Sequence, residues 1–534
     1  MEFKNSYIKL KSSLVLLTVL FFAVSCEDYL EEEPGTLIDS DYIYTTEDGL
    51  QSGVVSLYTI NRDRYEYSSE DYMAAVLMSS RSDLAFSRSG YTGLMGRYQR
   101  GISSIDYGTE LASTLFWKHF YNLANKATAL INAAEAMEDI DEDVKNQIIA
   151  EAKFFRAEAY FYLYRMYNNI YVTTETVTVD NAFDVISDKS SEEEIFELIN
   201  SDLTFSIENL EWTDTFGRVT KGTAKHVKAK VAMWQSDWAE AASQAISLIE
   251  EGPHSLVSST AEVFAEDRNN SESLFVIQSE DDLSGGGSTT MINANYVTQY
   301  FNISGIEANV EQGGRGFSRI LPNLYLLNLL AEDENDTRDD DTYFRLKYYY
   351  TSGDRIGEEV DDYAPITDLD NPSDTYTTYY QRMHPSCIKF AQEDDDPDTY
   401  LNRSNVTVYR LAETYLIAAE ALMRSSEGDP LPYLNAIRTR AGAAAVTTVD
   451  QQAILDERAR ELAFEGQRWF TLKRMGQDVI DYQITNYAGD GEYYPNNLGE
   501  NDPRDNWQSH FINWPIAEID LDLLGSSYPQ NDGY

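Results

Sequence analysis

Two stretches of this chain set aromatic rings beside hydrogen-bonding forks. Residues 80–98 hold Arg81, Asp83, Arg88, Tyr91, Arg97 and Tyr98, and residues 293–317 hold Asn295, Tyr296, Arg315 and Phe317. A flat ring covers the C–H face of a sugar, while guanidinium, carboxylate and amide groups bond its hydroxyls in fixed geometry. Arg81, Asp83, Tyr91, Tyr98, Asn295, Tyr296, Arg315 and Phe317 are therefore the candidate ligand contacts. On this reading Tyr91→Ala or Tyr296→Ala weakens glycan binding at a nearly unchanged melting temperature. The 38 Tyr beside 22 Phe and 7 Trp point the same way, although most of these rings are assigned to the core.

Bond-breaking chemistry has less support. His119, His226, His254, His384 and His510 are scattered, with no His-Glu-x-x-His pattern. No Gly-x-Ser-x-Gly elbow is present, and Cys387 stands in no catalytic pattern. With 90 acidic residues, close carboxylate pairs are inevitable, and sequence does not give the separation a glycosidase requires. The chain is therefore expected not to be an enzyme, and no catalytic or metal residue is assigned. Residues 333–339 begin like a calcium loop, but Arg338 stands where the turn needs glycine and the later Glu is missing. Structural calcium there or at Asp394–Asp398 is the one cofactor alternative to a solvated loop. The Gly313–Gly316 cluster follows no strand at phosphate-binding spacing and is read as a sharp turn near the ligand.

Cys26 carries a different chemistry. Lys4, Lys9 and Lys11 precede an apolar run from Leu14 to Val24, and Cys26 is followed by the acidic stretch 27–33. A basic start and an apolar run of about 7–15 residues mark an export signal. The run is shorter than the about 20 residues that span a membrane. Cys26 stands where cleavage would expose it for acylation, with Ala23 at a position where lipobox patterns prefer Leu. Several acyl chains anchor where one does not. After acylation only Cys387 remains, so no internal disulfide supports the fold. The formal net charge is −49, and cleavage, which removes three lysines and one glutamate, makes it −51. Phosphate backbones repel such a surface, which excludes a nucleic-acid partner.

The elements that must position these residues are mainly helical. From Leu50 the pattern turns helical. Apolar stripes mark helices at Leu111–Met137 and Val144–Tyr167, the first containing Trp117, followed by an extended, β-branched stretch Ile170–Val179. Residues 223–250 form two short helices broken at Gln235-Ser236-Asp237, with Asp237 as N-cap and Gly252-Pro253 as the stop. A similar pair is expected at Val406–Met423 and Pro430–Ala441. Together these are tetratricopeptide-like hairpins of irregular period. Between residues 255 and 405 only Phe317–Leu330 looks helical, and such loop-rich stretches commonly hold ligands. The block Ile454–Gly476 places Leu455, Ala459 and Leu462 on a core stripe. Asp456/Arg460 and Glu465/Arg468 stand at ion-pair spacing, Gly466 at a turn, and Trp469 and Phe470 follow as core plugs.

That block resembles the C-terminal signature of the SusD/RagB family of outer-membrane nutrient-binding lipoproteins. Tyr409–Ala421, Leu434–Gly442 and the endings Trp514–Asp520 and Tyr528–Tyr534 are similar to family segments in the same order, and Phe155–Leu163 resembles its N-terminal half. The resemblance implies a tetratricopeptide-like helical face packed on a SusC-like TonB-dependent transporter in the outer membrane, and an opposite loop-rich face that captures an oligosaccharide or, in some members, a peptide. The lipoprotein would then act as a hinged lid, lipid-anchored and facing the cell exterior. The expected organisation is a signal peptide at 1–25, an acidic tether at 26–36, a helical half at 37–254, a variable ligand-binding region at 255–405 and a C-terminal helical region at 406–534 packed with the first half as one body. The rival readings are a protein-only tetratricopeptide adaptor and a surface glycoside hydrolase.

Overall fold

Local capping signals start most of the long helices. The computed structural model describes residues 44–65, 78–87, 112–178, 180–181, 183–265, 268–279, 289–339, 342–360, 379–392, 396–403, 405–489 and 503–534. Helices α1 (Glu47–Asp63) and α2 (Ala112–Ala136) precede α3 (Glu142–Tyr167), whose N-cap Asp141 accepts from the amides of Asp143 and Val144. A capping box of Ser191 and Glu194 opens α4 (Glu192–Asn209). Thr220 and Thr223 do the same for α5 (Lys221–Trp234), and Asp237 caps α6 (Trp238–Glu251) as expected. The later helices are α7 (Leu324–Leu330), α8 (Leu411–Ser425), α9 (Leu431–Arg440), α10 (Gln451–Leu462), α11 (Arg468–Met475) and α12 (Gln477–Tyr487).

The chain divides into residues 1–53 and residues 54–534, and the packing that follows is that of the second unit. There α2 lies on α3, α3 on α4, α5 on α6, and α6 on α8. Ala229, Ala232, Ala241, Ala245, Ala418 and Ala421 let α5, α6 and α8 approach closely, their small side chains buried at the crossings. The fold is mainly helical, with three two-stranded antiparallel sheets among the described residues. In these, β1 (Ala85–Ser87) pairs with β3 (Ile320–Pro322), β2 (Ser273–Ile277) with β6 (Val406–Arg410), and β4 (Phe344–Arg345) with β5 (Ser386–Cys387).

Three expectations need correction. Val406–Arg410 is a strand and not the first turn of a helix, because Val406, Thr407, Val408 and Tyr409 favour the pleated pairing that β2 offers. Phe317–Leu330 is not one helix: Pro322 ends a strand, and Asn323 caps α7 by accepting from the Leu326 amide. The ion pairs Asp456/Arg460 and Glu465/Arg468 do not form. Asp456 accepts from Tyr325 and Gln452, Glu465 from Arg410 and Lys389, while Arg468 grips Asp83 through two bonds of 2.7 and 2.6 Å. Buried charges found better-desolvated partners far away in sequence than the exposed helix surface could supply.

Those partners form the centre of the molecule. Glu457 and Glu461, one turn apart on α10, and Glu465 beyond its end meet Arg338, Arg410, Arg438, Arg440 and Lys389, all buried or nearly so. Burial alone would disfavour the Glu461 carboxylate. Arg440, Arg410 and Arg338 outweigh that and hold its pKa well below the usual range. Trp469 and Phe470 are buried as expected. Residues 170–178 have no strand partner among the described residues. Tyrosine hydroxyls serve instead: Tyr121 bonds both the amide and the carbonyl of Tyr171, and Tyr160 those of Thr173.

Candidate functional site

The site is built on the turn that the glycine cluster makes. Gly313 adopts φ +99°, and at Gly316 a Cβ would lie 1.9 Å from the Val297 carbonyl oxygen. Only glycine lets the chain fold back so tightly on the short helix Ile292–Tyr296. The returning strand is then locked by backbone bonds: Phe317 to Ala294 at 2.7 Å, Ser318 to Val297 at 2.8 Å and Arg319 to Asn295 at 3.1 Å. This presents Phe317 half-exposed against Tyr400, their rings stacked at 4.1 Å and 11°.

Cations complete the stack. The Arg319 guanidinium sits 4.3 Å over Phe317, and that of Arg315 lies 4.6 Å from Phe301 and 5.7 Å from Tyr400. Arg315 is held by the Pro397 carbonyl at 3.0 Å and by Asp398 at 3.6 Å. A guanidinium stacked on a ring keeps its N–H bonds in its own plane, so they emerge past the ring edge. Exposed Asn302, bonded to Gln299, and Gln381, bonded to the same amide oxygen, add side-chain amides on this rim. Tyr400 and Arg319 cover the faces of Phe317, so ring edges and fixed donors lie side by side on loops. This arrangement suits a neutral, hydroxyl-rich ligand.

The predicted contacts separate into three groups. Arg315 and Phe317 are brought together on this platform. Asn295 and Tyr296 are fully buried beneath it. The Asn295 side-chain oxygen accepts from Arg319 at 3.0 Å, so it orients a cation of the platform. Tyr296 packs on Phe464 at 4.9 Å and donates to Ser79. The expectation that Tyr296→Ala leaves the melting temperature unchanged is corrected, since the truncation opens a cavity in the core. Arg81 and Asp83 are also buried. Arg81 lies 4.2 Å over Trp469 and bonds the Phe511 carbonyl, and Asp83 holds Arg468. Tyr91 and Tyr98, with Arg88, Arg97 and Cys26, lie outside the described residues. Phe301, Arg319 and Tyr400 were missed. Phe301 stands inside the stretch 293–317 and Arg319 two residues beyond it, whereas Tyr400 lies in another segment and is one of 38 tyrosines, too many for one to be singled out.

Other possibilities are less developed. Asp336, in the stretch compared with a calcium loop, has both oxygens bonded to Arg338, and Asp333 caps the amides of Asn335 and Ala444. Among the described residues no group of three or more His, Cys, Asp or Glu is arranged to hold a metal. Burial raises the Cys387 thiol to about 12, which leaves it unreactive. A hollow of about 400 Å³ is lined by Tyr58, Arg62, Phe216, Arg218 and Gln278. Three of its polar side chains are already engaged, Tyr58 and Arg218 with Glu151 and Gln278 with Asn269.

Comparison with known proteins completes the description. The family model of the SusD family matches residues 266–534. The chain is 26% identical over 496 residues to the SusD-like protein P25 of Formosa agariphila, covering 88% of this chain and 90% of that one. It is 32% identical over 139 residues to the starch-binding protein SusD of Bacteroides thetaiotaomicron, covering 26% and 22%. Among solved structures, a laminarin-binding SusD-like protein superposes with a TM-score of 0.70 at 21% identity, over 92% of this chain and 100% of that one. Surface glycan-binding protein A from Bacteroides fluxus gives 0.70 at 20% identity over the same shares.

Proposed function

Because the chain belongs to the SusD family, we propose that it is a cell-surface lipoprotein that captures an oligosaccharide and passes it to a TonB-dependent outer-membrane transporter. The observation that carries the binding step is the half-exposed stack of Phe317 and Tyr400 flanked by Arg315 and Arg319. Relatives that bind starch and laminarin support a glycan as the ligand class. The same stack offers rings and donors, the groups a binding site needs. Among the described residues no helix is long and apolar enough to cross a membrane. Membrane attachment is assigned to acyl chains on Cys26, at the end of the export signal read from the sequence, and the transporter supplies the barrel.

The test is a binding survey with soluble protein lacking residues 1–26, using polysaccharides, host glycans and peptides. Against the glycan that binds, the double variant Phe317→Ala/Tyr400→Ala should weaken affinity about tenfold or more, since each lost stacking contact is worth about 1 kcal/mol. Unaltered affinity in the double variant would remove the platform as the site. A loss caused instead by Phe216→Ala would place the ligand in the hollow lined by Tyr58 and Arg218. Peptide binding alone would replace the glycan reading, and release of reducing ends would replace binding by hydrolysis.

A further inference from the structure

Five helices, α3, α5, α8, α10 and α11, meet at a small, partly open cavity of about 30 Å³, far from neutral in charge. Arg165, Lys230, Arg458 and Arg474 line it, with Glu413 and apolar Met233 and Ile417. Glu420 matches Arg474 through bonds of 2.9 and 2.7 Å. Glu413 is shared between Lys230 at 2.8 Å and Arg458 at 2.9 Å. His226 also faces Glu413, at 3.2 Å, and burial favours its neutral form. Arg165 has no carboxylate partner among the described residues and lies against the rings of Phe161, Tyr162 and Phe470 at 4.1, 4.4 and 4.1 Å. Four cations thus share two carboxylates. Arg458 is 6% exposed and bonds Glu413 and Thr471, yet its Nη1 has no hydrogen-bond partner among the described residues. A buried guanidinium N–H without an acceptor costs free energy that the fold can recover only through a guest with a lone pair.

We propose that this cavity is a site for one weakly hydrated monovalent anion, chloride or bromide, with Arg458 Nη1 as donor and Arg165 and Lys230 supplying the remaining charge. The volume exceeds the roughly 10–15 Å³ that one water needs, so there is space for a single ion. The walls favour the same choice, since methionine, isoleucine and aromatic surface suits a polarisable ion that gives up hydration readily. Burial lowers the pKa of Lys230 and of Arg458, with Glu413 compensating only in part, which agrees with an excess of positive charge. A water molecule could accept from Nη1 but would leave that excess in place.

The experiment measures melting temperature at neutral pH while chloride or bromide replaces gluconate at constant ionic strength, and locates bromide by anomalous scattering in crystals grown in the bromide salt. The expected result is a saturable rise of roughly 1–3 °C in the halides, with an anomalous peak beside Arg458 Nη1. Arg458→Lys keeps the charge facing Glu413 but removes that donor, and should lose the halide-dependent rise. Equal melting in gluconate and halide, with no bromide peak in the unmodified protein, would assign the cavity to water and overturn the proposal, whatever the variant does.

Discussion

His384 shows how burial turns a titratable side chain into a pH-dependent element of stability. Its Nε2–H donates to the Pro322 carbonyl at 2.7 Å, and its ring packs on Phe86 and Tyr380. Nδ1 faces no donor or acceptor, so a proton added there would be buried without a partner. Burial lowers its pKa to about 4, from about 6.5 in an unfolded chain. Between those values the unfolded chain binds the proton and the native state does not, so stability falls as pH drops from 6.5 towards 4. The full loss is on the order of 3 kcal/mol at pH 4. Denaturant titrations at pH 7 and pH 5 should show the decline, and His384→Gln should flatten it. His226, also lowered by burial, contributes in the same sense, so the slope is reduced and not abolished. The carboxylates of Glu457, Glu461 and Glu465 act from about 4.5 downward, below the pH 7 and pH 5 comparison, because their folded values lie under the ordinary 4.5. An identical slope in the variant would show that His384 is not the group that titrates.

At the level of elements, the loop 313–319 depends on one atom that glycine lacks. Gly316→Ala would drive a methyl group into the Val297 carbonyl, so the turn must open and the bonds from Phe317 and Ser318 must lengthen. We expect a cost of roughly 2 kcal/mol or more and, through displacement of Phe317, weaker glycan binding. Unchanged affinity with lowered stability would separate the turn from the site. The helices were legible because their information is local: Asp237 is a cap wherever it precedes Trp238–Glu251, and alanines at intervals along α5, α6 and α8 imply close crossings. The strand Val406–Arg410 was not, since its partner Ser273–Ile277 lies more than a hundred residues earlier and short apolar runs fit either period. Charge partners were misread for the same reason. Spacing offers Arg468 its neighbour Glu465, whereas the fold offers it Asp83. The platform was half legible: Arg315 and Phe317 stand in the loop singled out, while Tyr400 arrives from a separate segment.

For the whole molecule, attachment and architecture are separate questions. The −49 charge gives a bare anionic membrane no reason to retain this protein, so the proposed anchor must do so alone. Cys26→Ser is expected to shift the protein from the membrane fraction to the medium or soluble fraction and to abolish labelling by a fatty-acid analogue. Persistent labelling or membrane retention in that variant would exclude Cys26 as the anchor. The ion pairs have a consequence for how such chains can diversify. Asp83 with Arg468 and Lys230 with Glu413 join residues before position 266 to residues after it. Recombination between relatives at that boundary would bring together buried charges selected in different backgrounds, and a mismatch at any one leaves an ion without its counter-ion inside the protein. The platform segments 297–319 and 396–403 are more portable, because much of their anchoring is main-chain bonding that does not depend on side-chain identity. New specificities should therefore spread through this lineage by exchange of loops on an inherited frame, and hybrids joined at the midpoint should be rare.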